Sequence, residues 1–138
     1  MLPGIVLLVD DDDEDKFIIK DAMAALDADE NIWYANNGEH ALELLGSKYR
    51  ENVKPCLIVL DLNMPKMNGT ETLISLKEDE RFKDIPVVIY STSINRLEKE
   101  KCMILGAHSY ITKPISFNES KEIARFFLEF CEPKNISA

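Results

Sequence analysis

The chain has 138 residues, 46% of them hydrophobic and 30% charged, which suffices for one domain with an apolar core of its own. Its 25 acids against 16 bases leave a formal net charge of -9, and that balance excludes a general nucleic-acid-binding surface. Cys56, Cys102 and Cys131 are odd in number and lack metal-ligand spacing, so they read as reduced thiols with no disulfide, in a cytoplasmic protein.

The first element is the apolar run Ile5-Val6-Leu7-Leu8-Val9, which breaks off into Asp10-Asp11. The apolar stretch 2–9 is too short to cross a bilayer and lacks the basic flank and cleavage site of a signal peptide, so it reads as a strand and no membrane attachment is expected. Residues 16–26 follow at helical spacing, with Asp13 as the expected N-cap. Residues 31–36, short and aromatic, form the second strand. Gly38 then opens a helix carrying Ala41, Leu42, Leu44 and Leu45. The third strand, 56–61, ends at Asp61. A turn with Pro65 and Gly69 leads into a helix that buries Leu73, Ile74 and Leu76. Residues 86–91 give the fourth strand, 95–105 a charged helix stopped by Gly106, 108–112 a short fifth strand, and 117–130 an amphipathic helix.

Strands alternating with helices predict an α/β fold: a doubly wound, five-stranded parallel sheet covered on both faces, flavodoxin-like in topology. Right-handed crossovers leave few arrangements, and the order 2-1-3-4-5 sets strands one and three side by side. Asp10, Asp11 and Asp61 then converge at the carboxyl edge, where ligands of such sheets bind. Crowded carboxylates need a cation or a proton to compensate them. Lys113, in Tyr110-Ile111-Thr112-Lys113-Pro114, lies at the same edge.

The ordered set Leu8-Val9-Asp10-Asp11, Leu60-Asp61-Leu62-Asn63-Met64-Pro65, Gly69, Ser91-Thr92 and Lys113-Pro114 resembles the response-regulator receiver family. The resemblance spans nearly the whole chain and implies a single receiver domain over 1–138, with a core of about 4–131, a short tail over 132–138 and no output domain. It implies that Asp61 takes a phosphoryl group from a sensor histidine kinase, or exchanges it with a histidine phosphotransfer protein. Mg²⁺ or Mn²⁺ is expected on Asp10, Asp11, Asp61 and the backbone carbonyl of Asn63, with Lys113 contacting the acyl phosphate. Ser91 and Tyr110 match the family's switch residues, Asn63 and Ser93 the positions that tune phosphate lifetime, and Lys113-Pro114 the position of a cis peptide. Signalling would run through the face of the fourth helix, fifth strand and fifth helix. The expected protein is a two-component regulator, a monomer or weak homodimer in the cytoplasm, and an enzyme only toward its own phosphorylation and dephosphorylation.

Two rival functions fit parts of the pattern. A metal-dependent phosphatase of haloacid dehalogenase type wants a second aspartate two residues after the nucleophile, where Asn63 stands. An inert receiver-like scaffold would lack part of the site, and here the set is complete. A flavin phosphate would be repelled by the acidic run after the first strand, and no dinucleotide or Walker glycine pattern occurs. Within that run, Asp12 to Asp15 read as a solvated helix start. Tyr90, where an aliphatic residue is usual, and Thr92 bear on the width of access to Asp61. Trp33 reads as edge-strand packing, and His40 and His108 as exposed side chains.

Overall fold

The apolar runs become strands β1 (Val6–Val9), β2 (Ile32–Ala35), β3 (Leu57–Leu60), β4 (Val87–Ser91) and β5 (Ser109–Thr112). They alternate with α1 (Asp13–Ala25), α2 (Gly38–Arg50), α3 (Gly69–Glu78), α4 (Arg96–Ile104) and α5 (Phe117–Glu129) in a computed structural model that describes residues 4–64, 66–93 and 95–132. Pro65 and the tail beyond Glu132 lie outside the described residues. The sheet is parallel throughout, in the order β2-β1-β3-β4-β5, one of the few arrangements the crossover rule allows.

Every residue of β1, β3 and β4 is buried because helices cover both faces. Alternation sends Leu7, Val9, Ile58, Leu60, Val87 and Ile89 into one layer with Ala41, Leu45, Leu73, Leu76 and Cys102 of α2, α3 and α4. Val6, Leu8, Val59, Val88 and Tyr90 enter the other layer, against Ile19 and Met23 of α1 and Ala124 and Phe127 of α5. The β1–β3 register pairs Val9 with Leu60, so the next residue of each strand, Asp10 and Asp61, leaves the sheet beside its partner. The Asp61 N–H continues that ladder by donating to the Val9 carbonyl at 3.0 Å.

Helix starts are set by short polar side chains. Asp12, not Asp13, caps α1: its backbone is extended and its carboxylate accepts the N–H groups of Glu14 at 2.8 Å and Asp15 at 3.1 Å. The helix begins three residues before its apolar periodicity does, because acids in a first turn satisfy free N–H groups and complement the helix dipole. Asn68 and Glu71 form a capping box on α3. Gly69, just inside it, packs so closely on the β3–α3 loop that an added Cβ would lie 2.3 Å from the Asp61 carbonyl oxygen. Gly106, at φ +108, ends α4 as the sequence predicts.

The cysteines correct the sequence reading. Cys56, just before β3, and Cys131, just after α5, are joined as a disulfide with their Cα atoms 5.2 Å apart, while Cys102 is free and buried. Spacing along the chain carried no sign of this, because the pairing is made by α5 folding back over the amino edge of the sheet. The bond closes a loop of sequence separation 75, and reducing it is expected to lower the unfolding free energy by roughly 4 kcal/mol through the freed unfolded chain. Urea melts with and without a thiol reductant check this; Cys131→Ser should show the same loss and no response to reductant.

Candidate functional site

Asp10 is 0% exposed, and each of its carboxylate oxygens has a protein partner. One carboxylate oxygen accepts the Asp12 N–H at 2.9 Å and the other accepts from Lys113 Nζ at 2.8 Å. Asp61, 6% exposed, stands beside it, and Asp11 completes the group from the exposed start of the β1–α1 loop. One oxygen from each of the three carboxylates lies within 4.8 Å of the others. The predicted convergence at the carboxyl edge is therefore present. Hard oxygen donors at this spacing fit a divalent cation.

Lys113 reaches this group because its own N–H donates to the Ser91 carbonyl at 2.8 Å, extending the β4–β5 ladder by one residue. Its ammonium lies 2.8 Å from Asp10, 2.7 Å from Asp15 and 3.5 Å from Asp61, with the side chain only 7% exposed. Below it, the Tyr90 ring centroid is 5.6 Å from Nζ. Tyr90 is turned into the α1/α5 layer, edge-on to Phe127, and so forms the floor under Lys113. Burial would lower the lysine's pKa, but hydrogen bonds to Asp10 and Asp15 and the charges of Asp10 and Asp61 outweigh it and hold the ammonium charged. Burial pushes the Asp61 carboxyl up to about 6; the Asp10 charge adds to this, while Lys113 and the Asn63 N–H work against it.

Ser91 is fully buried at the end of β4, and its Oγ accepts the Ser93 N–H at 3.1 Å. Tyr110 is half-buried, and its hydroxyl shares one proton between the Ser93 carbonyl at 3.0 Å and Glu98 of α4 at 3.2 Å. The aromatic thus ties β5 to the β4–α4 loop and to α4. Burial raises the phenol's pKa, so it stays a donor. Ser93 is half-buried and Asn63 exposed, both at the rim of the acidic group's side of the sheet. Trp33 packs at the edge strand, His108 is exposed, and His40 is half-buried, accepting the Asn36 N–H at 3.0 Å.

Two sequence expectations fail here. The Lys113–Pro114 peptide is trans, as there is no cis peptide among the described residues. Trans is the lower-energy form of an X–Pro bond. Asp15 is not a solvated helix-start acid but a direct partner of Lys113. A signal existed: Asp15 lies one turn before the buried Ile19, on the inward face of α1.

The family model described as the response regulator receiver domain matches residues 6–125. The response regulator Rcp1 of Synechocystis sp. is 31% identical over 133 residues, covering 92% of this chain and 90% of its own. The crystal structure of the phosphorylated cyanobacterial phytochrome response regulator RcpA superposes with a TM-score of 0.82 at 33% identity, covering 93% of each chain. The Mn²⁺-bound form of Rcp1 gives 0.78 at 30% identity, covering 92% of this chain and 96% of that one. The comparisons give no support to a haloacid dehalogenase phosphatase, and Asn63 denies it the second acid. A sheet edge with acids after β1 and β3 and a lysine after β5, on a chain similar along nearly its whole length to these regulators, places the protein in the response regulator receiver family of two-component signalling.

Proposed function

We propose that Asp61 is the phosphoacceptor of this receiver. A carboxylate oxygen of Asp61 attacks the phosphorus of a phosphohistidine on a sensor kinase or histidine phosphotransfer protein. The new O–P bond forms as the N–P bond breaks, and the departing imidazole takes up a proton. The observation that carries this reading is the juxtaposition of Asp61 with Asp10, Asp11 and the Lys113 ammonium in one pocket edge.

Asp10, Asp11, Asp61 and the Asn63 backbone carbonyl would hold Mg²⁺ or Mn²⁺, which supplies positive charge to offset that of the incoming phosphoryl group. That the similar response regulator Rcp1 has a Mn²⁺-bound form supports a divalent cation here. Lys113 brings a second positive charge to the phosphoryl oxygens. The Ser91 Oγ accepts the Ser93 N–H and its hydroxyl also bonds the Tyr110 phenol, so donating to a phosphoryl oxygen would exchange that partner. Drawing Ser91 toward Asp61 disturbs the Ser93 loop that Tyr110 holds, and so biases the β4–α4 loop, α4 and β5 between two arrangements. The α4–β5–α5 face, with Leu97, Ile104, Ile115 and Phe117 exposed, would present that change to a downstream protein. Asn63 and Ser93, small and polar, leave water a path to the acyl phosphate. The protein's catalysis is confined to its own phosphorylation and dephosphorylation, and it acts as a monomer or weak homodimer.

Incubation with acetyl phosphate and Mg²⁺ followed by intact-mass measurement tests the chemistry. One phosphoryl adduct is expected, lost with chelator and lost in Asp61→Asn. No adduct in the parent protein would favour the inert scaffold; an adduct that survives Asp61→Asn would move the acceptor elsewhere.

A further inference from the structure

The Lys113 ammonium has three N–H donors and three acidic neighbours, but it serves them unequally. The contacts to Asp10 at 2.8 Å and Asp15 at 2.7 Å are full charge-assisted hydrogen bonds. Asp61, at 3.5 Å, is beyond that range. Asp15 is itself fixed in place: its N–H donates to the capping carboxylate of Asp12, and it sits one turn before the buried Ile19, which packs α1 on the sheet. An acid serving only the helix dipole needs no contact with a basic side chain.

We infer that Asp15 is a positioning residue that draws the Lys113 ammonium toward itself, holding its ion pair with Asp61 at the longer 3.5 Å and leaving one lysine N–H without a close hydrogen bond. A carboxylate in a tight ion pair is a poorer nucleophile, and a lysine whose three donors are all taken has none for an incoming oxygen. With Asp10 and Asp15 holding two donors, the third faces the space where a group carried on Asp61 would sit. Asp15 also raises the acidic group to four carboxylates around one ammonium, which increases its demand for a cation.

The inference rests on Asp61 as phosphoacceptor, and the test separates the two. With acetyl phosphate and saturating Mg²⁺, Asp15→Ala is expected to form adduct about tenfold more slowly than the parent, and Asp15→Glu to recover to within about threefold. In a Lys113→Ala background, Asp15→Ala should cost less than about twofold, since its effect passes through the lysine. A crystal structure of Asp15→Ala should place Nζ at roughly 2.8 Å from an Asp61 oxygen. Unchanged rates in Asp15→Ala, an equal loss in the Lys113→Ala background, or a lysine that keeps its present distance from Asp61 would each overturn the inference. If the parent takes no phosphoryl group at all, the phosphoacceptor reading falls, and the crystal structure still decides the role of Asp15.

Discussion

Asp61→Asn is expected to make the protein more stable while abolishing its phosphorylation. The folded protein holds the Asp61 carboxyl at about 6 against an ordinary 3.8, chiefly because burial penalises its charge. Between those two values the native state binds more protons than the unfolded chain, so this group's contribution rises as the pH falls from 6 toward 4. Above pH 6 the cost of holding the charge is present in full. Removing that charge should raise the unfolding free energy at pH 7 by about 2 kcal/mol without divalent metal, or roughly 5–8 °C in melting temperature. Melts of parent and variant from pH 4.5 to 8 in chelator check this. The stability gap should shrink toward acid pH and also shrink when Mg²⁺ is added, because the cation relieves the parent more than the variant. A variant less stable than the parent at pH 7 would refute the assignment of Asp61 as a charge held against its own solvation.

Lys113→Met should act in the opposite direction. The lysine is the cation touching Asp10, whose side chain is wholly buried, and removal of one partner from such a pair leaves an uncompensated buried charge. A loss of about 3–5 kcal/mol is expected at neutral pH in chelator. Adding Mg²⁺ should restore part of it. Adduct formation with acetyl phosphate should fall at least about 100-fold even at saturating Mg²⁺, the scale on which removal of a preorganised charge from a reacting phosphoryl group is felt. Chemical denaturation and intact-mass kinetics on the same preparation measure both. Together the variants separate groups that the fold tolerates at a cost from groups it depends on.

The layout of the sheet was legible because β1, β3 and β4 are unbroken apolar runs that stop at charged or hydroxyl residues. Strand endings of that kind announce both burial and the edge at which a site forms. Asp10, Asp11 and Asp61 follow from that reason, whereas Lys113 ends the short, part-exposed β5 and joins them only through the strand order and the family pattern as a whole. The start of α1 was less legible, because six consecutive acids give periodicity nothing to work with, and Asp12 outcompeted Asp13 as cap by local backbone geometry. Asp15 was missed because acidity argued for solvent while its position on the helix argued for the sheet. The Cys56–Cys131 pairing depends on where α5 returns to the sheet, a three-dimensional fact with no one-dimensional trace.

Because β1 and β3 run in register from Val6 with Leu57 to Val9 with Leu60, the distance between Asp10 and Asp61 is dictated by counting, one backbone rung at a time. Deleting a single residue inside either strand would swing its terminal carboxylate to the opposite side of the sheet. The opposite edge carries no such obligation: residues 51–54, ahead of β3, are exposed and anchor no catalytic group. Graft points, reporter tags and circularly permuted termini therefore belong on that far side, where extra length leaves the ruler between the two acids untouched.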